Sequence, residues 1–159
     1  MDRTQTEPAS VAHAPSLLYV VKQLELATRA HLDAVLRPSG VTALQYTALT
    51  VLERRPTMSA ADLARASFVR AQSVADLIGA LERRRLIRRE VDSSNRRKLL
   101  ITLTDEGREF LAEYAPVIAE LEERMLRDLD PRAQATFRAA LDSCRRALGT
   151  PQRNARTPA

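Results

Sequence analysis

Residues 82–98, ERRRLIRREVDSSNRRK, carry eight cations (Arg83, Arg84, Arg85, Arg88, Arg89, Arg96, Arg97 and Lys98) against three acids (Glu82, Glu90 and Asp92). The local charge of +5 equals the formal net charge of the whole 159-residue chain. Lys22 and Lys98 are the only lysines, so 23 of the 25 cations are arginine. Arginine is the cation that meets phosphates and guanine edges in bidentate fashion, so this segment offers recognition of a polyanion. The acids are concentrated further on, in Asp105, Glu106, Glu109, Glu113, Glu120, Glu122 and Glu123. Such a separation of sign is the footprint of a nucleic-acid contact surface, the bland alternative being a solvated basic face.

Other chemistry has little to work with. His13 and His31 form no His-x-x-x-His pair, no serine sits in a nucleophile elbow, and 4 glycines leave no Gly-rich phosphate loop. The lone Cys144 excludes an internal disulfide and a Cys-rich zinc site, and its apolar neighbours predict a buried, inert thiol. These features point away from an enzyme and imply no cofactor.

The elements that must position the cations are mostly helical. Leu17, Val20, Val21, Leu24, Leu32 and Val35 recur at helical spacing and predict a first helix over 16–36, stopped by Pro38-Ser39-Gly40. Thr42 to Gln45 is a capping box that opens a second helix ending before Pro56. Ser59 to Asp62 caps a short third helix. Val74, Leu77, Ile78 and Leu81, at i, i+3, i+4 and i+7, give an amphipathic fourth. Two short runs, 86–91 and 98–103, flank the polar loop from Asp92 to Lys98 and predict a β-hairpin, with Leu99, Ile101 and Leu103 anchoring it to the core. Thr104 starts a long helix, Asp130-Pro131 starts another, and Gly149 ends it.

The fold class is therefore mainly α with a small β-hairpin wing: a winged helix-turn-helix plus a helical dimerisation region. The expected division is a flexible arm over 1–14, a dimerisation helix over 15–40, a winged helix-turn-helix DNA-binding domain over 41–104, dimerisation helices over 105–149 and a flexible tail over 150–159. The first helix and the last two carry apolar stripes without a partner inside a small domain, which predicts that they pack on a second copy of the chain. The polar N-terminus lacks a signal-peptide core and no apolar run has the length of a membrane span, so a cytoplasmic location with no membrane is expected. In a winged helix the second helix of the helix-turn-helix enters the major groove, and arginine at the hairpin tip reaches the minor groove of double-stranded DNA.

From Val41 to Phe110 the sequence resembles the MarR family of winged-helix transcriptional regulators. The landmarks are Val41-Thr42-Ala43-Leu44-Gln45-Tyr46, Ser59-Ala60-Ala61-Asp62-Leu63-Ala64, Leu81-Glu82-Arg83-Arg84, Leu86-Ile87-Arg88-Arg89, Asn95-Arg96-Arg97 and Leu103-Thr104-Asp105-Glu106-Gly107. The resemblance implies a homodimeric regulator, in most members a repressor of a pseudo-palindromic operator. In many members a small phenolic or aromatic anion binds between the dimer region and the winged helix and releases the DNA. A winged-helix architectural or protein-interaction module without an operator is the competing reading.

The resemblance also implies site residues. Arg96 matches the wing-tip arginine, with Arg97 and Lys98 as phosphate contacts. Arg70, Gln72, Ser73 and Asp76 fall at the exposed N-terminal positions of the recognition helix. Gln72 suits an adenine edge and Ser73 a phosphate or base. An intrahelical partner is expected for Asp76 ahead of a cytosine amino group. His31 and Tyr46 are candidate contacts for an aromatic effector, with Arg29 or Arg37 pairing its charge. Two positions depart from the family pattern. Asn95 stands where a carboxylate usually holds the wing arginine. Arg85 stands where glycine usually turns the chain left-handed, so either the turn differs or the extra cation offsets the strain at the DNA backbone.

Overall fold

The computed structural model describes residues 14–67, 69–96 and 98–149. Arg97, most of the arm and the tail lie outside the described residues. Each predicted helix forms. The first, α1, spans Leu17–Leu36 and is capped by Ser16, whose hydroxyl accepts from the Tyr19 N–H. A single turn of 3-10 helix over Arg37–Ser39 ends at Gly40, where φ is 66°. The second, α2, spans Ala43–Arg54 and opens with the complete Thr42–Gln45 capping box. Met58–Ser59 form a short strand, β1, and Ser59 also caps α3 (Ala60–Ala66). Then follow α4 (Ala71–Arg83), β2 (Ile87–Val91), β3 (Leu99–Leu103), α5 (Asp105–Leu126) and α6 (Pro131–Leu148).

The hairpin is the outer part of a three-stranded antiparallel sheet in the order β1-β3-β2. Met58 pairs with Ile101 on one side of β3, and Ile87 pairs with Leu103 on the other. A two-residue strand leaves no alternation in a sequence, so β1 exists only through its neighbour. The core gathers Leu49 and Leu52 from α2, Leu63 from α3, Leu77, Ile78 and Leu81 from α4, Ile87, Ile101 and Leu103 from the sheet, and Leu111 from α5. Leu99 does not join it. It pairs with Val91 at the far end of the hairpin, and both stay half-exposed because the wing has left the core by that register.

Outside this core the helices bury little. In α1 the only buried residue is Leu36, and α6 has none. Leu17 and Leu18 are 82% and 77% exposed, and Leu148 is 78% exposed. Cys144 is exposed too, because it lies on a helix that buries none of its residues within the chain. Among the described residues no helix is long and apolar enough to cross a membrane.

Candidate nucleic-acid interface

The recognition helix candidate, α4, is divided cleanly. Val74, Leu77, Ile78 and Leu81 are buried, while Gln72, Ser73 and Asp76 are exposed on the other side. The intrahelical partner expected for Asp76 is not there. Its neighbours one turn away are Gln72, Ser73, Gly79 and Ala80, none of them cationic, and the carboxylate makes no ion pair among the described residues. Arg70 is the N-cap residue of α4 but offers no side-chain cap, and the first turn holds no acid. The other five α-helices all begin on a Ser, Thr or Asp side-chain cap. The Ser73 N–H turns back to the Arg70 carbonyl (2.9 Å), while the Ala71 and Gln72 N–H groups meet no side-chain cap among the described residues, and a helix N-terminus with such N–H groups favours a phosphate.

The eight cations of 82–98 separate into groups once the chain is folded. Arg88 pairs with Glu90, and Arg89 pairs with Glu82 at 3.0 Å. Arg84 turns inward, donating to the carbonyl oxygens of Ser39 (2.6 Å) and Gly40 (2.9 Å). Arg83, Arg85 and Arg96 make no ion pair among the described residues and are exposed. These three are the cations left to meet an external anion, beside Lys98, whose ammonium lies 4.0 Å from Asp92.

The wing tip is shaped by Asp92. Its carboxylate accepts from the Ser94 N–H (2.8 Å) and hydroxyl (2.6 Å), and its backbone N–H donates to the Lys98 carbonyl (2.9 Å). The Ser94 hydrogen bonds, with Lys98 nearby, hold the Asp92 carboxyl below the usual aspartate range. A side chain bonded to the backbone two residues on is an Asx-turn. The carboxylate missing at position 95 is therefore not the one that closes the loop.

Arg85 has φ 59°, so the turn after α4 keeps the left-handed geometry without glycine. The Leu86 N–H donates to the Leu81 carbonyl (3.1 Å) and the Arg85 N–H to that of Glu82 (2.9 Å), and Leu81 and Leu86 are both buried. That is the Schellman pattern, complete with its apolar contact.

A cleft of about 580 Å³ opens between α1, α2 and α5, within the size range of small-molecule sites. His31 and Tyr46 both line it, with Leu24 and Ile118 among its apolar walls. Burial, then the nearby Glu53 carboxylate, raises the Tyr46 phenol above its ordinary value, so it is a neutral hydroxyl at neutral pH. Arg29 and Arg37 do not line it. They border a separate cleft with Asp33 and Gly40, and Arg29 pairs with Glu25 at 3.0 Å. Two residues along a helix is more than half a turn, so Arg29 cannot share a face with His31. The cations that do line the first cleft are Arg124 of α5 and Arg127, the residue just past its end. In the sequence Arg124 is marked only by its place beside that helix's apolar stripe, three residues after Leu121.

The sequence profile of the MarR family matches residues 39–98, the segment holding α2, α3, α4 and the wing. Over that segment the chain matches the MarR family. MarR-family proteins are transcriptional regulators, which are not enzymes. The chain is 28% identical over 124 residues to an HTH-type transcriptional repressor of Mycobacterium tuberculosis, spanning 78% of this chain and 89% of that one. The MarR fold extends beyond the matched segment. The Staphylococcus aureus MepR–DNA complex superposes with a TM-score of 0.72 at 22% identity, covering 84% of this chain and 97% of MepR. Bordetella bronchiseptica BpsR, whose DNA binding is regulated by 6-hydroxynicotinic acid, superposes with a TM-score of 0.71 at 22% identity, covering 87% of this chain and all of BpsR.

Proposed function

We propose that this chain is a homodimeric, sequence-specific repressor of the MarR family that reads a pseudo-palindromic operator and lets go of it when a small aromatic ligand binds. The supporting observation is the sorting of charge around α4. Two of the three acids of the basic segment are taken up by Arg88 and Arg89, leaving Arg83, Arg85 and Arg96 unpaired among the described residues, beside a helix whose polar face is exposed and whose N-terminus has no side-chain cap. In this reading Gln72, Ser73 and Asp76 face base edges, Asp76 accepting from a cytosine amino group, and Arg70 and the α4 N-terminus take phosphates. Arg96 enters the minor groove, and Arg85, Arg97 and Lys98 contact the backbone. The exposed leucines of α1 and α6 are covered by a second copy, which brings two recognition helices to two half-sites. The cleft holding His31 and Tyr46 takes the ligand, with Arg124 or Arg127 meeting its carboxylate. The protein works in the cytoplasm, where DNA and ligand meet.

Fluorescence anisotropy of the full chain on its own upstream DNA and on random duplex tests the operator. Preference for the upstream DNA at physiological salt is expected, and equal affinity for both would leave only an architectural module. Titrating the bound complex with 6-hydroxynicotinic acid and a panel of aromatic acids tests the ligand. Release by at least one of them, lost in Tyr46→Ala, is expected.

A further inference from the structure

Three consecutive residues at the end of α4 are gripped by both helices that lead out of the winged-helix core. Arg84 reaches back across 45 positions to donate to the carbonyls of Ser39 and Gly40, in the turn between α1 and α2. Arg85 and Leu86 are held by α5: the Thr104 hydroxyl donates to the Arg85 carbonyl (2.5 Å) and the Thr104 N–H to the Leu86 carbonyl (3.2 Å). The first turn of α5 presses on the same place, since a Cβ on Gly107 would lie 2.1 Å from the Leu86 oxygen.

The turn that Arg84 grips is itself rigid. The Gly40 N–H donates to the Arg37 carbonyl (3.0 Å), and the Ser39 hydroxyl donates to that of Leu36 (2.7 Å) while accepting from the Val41 N–H (3.1 Å). Asp33 of α1 accepts from the Ala43 N–H at the start of α2 (2.7 Å). At Gly40 φ is 66°, and a Cβ there would sit 2.5 Å from the Arg84 guanidinium. No other side chain of α4 among the described residues hydrogen-bonds to this turn. The α5 grip is made of backbone and a cap, whereas the α1 grip is a single planar fork on two carbonyls, a geometry that lysine does not reproduce.

We infer that Arg84 is a positioning residue: it fixes α4 relative to α1 and thereby sets the half-site spacing that the dimer accepts. The inference rests on the dimeric operator reading above. It removes Arg84 from the DNA contacts although it sits inside the basic segment. Its charge is engaged by the protein's own carbonyls, and its effect on DNA is geometric.

The test uses the full chain and a library of inverted repeats with randomised half-sites and varied spacers. Selection by the wild type gives the preferred half-site and spacing. Binding is then measured for the wild type, Arg84→Ala and Arg84→Lys on duplexes with the spacer lengthened or shortened by one base pair, after thermal unfolding shows each variant folded. The wild type is expected to lose about tenfold per base pair of misplacement, because each step moves a half-site by about 3.4 Å and about a tenth of a turn. Arg84→Ala is expected to flatten that profile, losing affinity at the preferred spacing and not at the others, and Arg84→Lys to resemble Ala more than Arg. A uniform loss at every spacing would make Arg84 a phosphate contact, and an unchanged profile in Ala, or the arginine profile in Lys, would make the fork irrelevant. Either result overturns the inference while leaving the operator reading in place. A wild type indifferent to inverted repeats overturns both.

Discussion

Replacing Arg85 with glycine is expected to make the protein more stable and its DNA complex weaker. Arg85 sits at φ 59° in the turn that closes α4, where a side chain crowds its own carbonyl. For an L-residue other than glycine that conformation costs about 1–2 kcal/mol. Glycine removes the strain but enlarges the freedom of the unfolded chain, which takes back about 0.4–1 kcal/mol. Nothing else changes, because the Arg85 side chain is exposed and makes no ion pair among the described residues, while the two Schellman hydrogen bonds are backbone. Mid-range values, about 1.5 less about 0.7, give a net gain of about 0.8 kcal/mol. With a urea m-value of about 2 kcal/mol/M, the midpoint should rise by about 0.4 M. Both proteins are compared at one protein concentration, since dimerisation adds to apparent stability. Arg85→Ala is the control: it keeps the left-handed strain and removes the cation, so its midpoint should not rise. If the guanidinium meets a phosphate, both variants should lower the slope of log K against log salt by about 0.9 for each phosphate no longer neutralised. A glycine variant less stable than the wild type would refute the strain argument. An unchanged salt slope would refute the compensating interaction with DNA.

Further outcomes follow from the same geometry. Gly107→Ala drives a methyl group into the Leu86 carbonyl and should cost about 1–3 kcal/mol in chemical denaturation, as overpacked sites do. A fully tolerated alanine would show that α5 does not press on the α4 turn. The Asp92 carboxyl should titrate below the ordinary aspartate value of about 3.9 when followed by carbon-detected NMR. Its folded-state value is lowered, so its contribution to wing order is complete above the unfolded value and disappears as pH falls through the lowered one; a titration at or above the ordinary value would sink the Asx-turn account. Arg96→Ala should weaken operator binding by about 1–3 kcal/mol, and unchanged affinity would remove the wing assignment. A chain ending before Asp130 should sediment as a monomer, and an intact dimer would show that α6 is dispensable for association.

Much of the fold is legible because its determinants are local. A helix is announced by contacts three and four residues apart and by caps within one turn, and Thr42, Thr104, Asp130 and Gly149 act where the spacing puts them. The hairpin is legible for the same reason. Its third strand is not, since Met58–Ser59 become a strand only when Ile101 and Leu100 lie opposite. Burial at the hairpin's far end is not legible either. Leu99, Ile101 and Leu103 share one face, and only the position of the core puts Leu99 outside it.

For the candidate site, the order of residues along the chain is enough to establish the class of chemistry: an arginine-rich segment on a helix end and a wing, following an amphipathic helix with Gln72, Ser73 and Asp76 outward. What each charge does is settled by folding. Arg84, Arg88 and Arg89 look identical to Arg83, Arg85 and Arg96 along the chain, yet one is bonded to a turn 45 residues away and two are held by acids, while the rest make no ion pair among the described residues. Folding also brings His31 and Tyr46 into one cleft with Arg124 and not with Arg29. The physical reason is common to all of these. Periodicity and capping are settled within one or two turns of chain, whereas an ion pair or a cleft wall depends on where distant segments arrive, which sequence spacing does not encode.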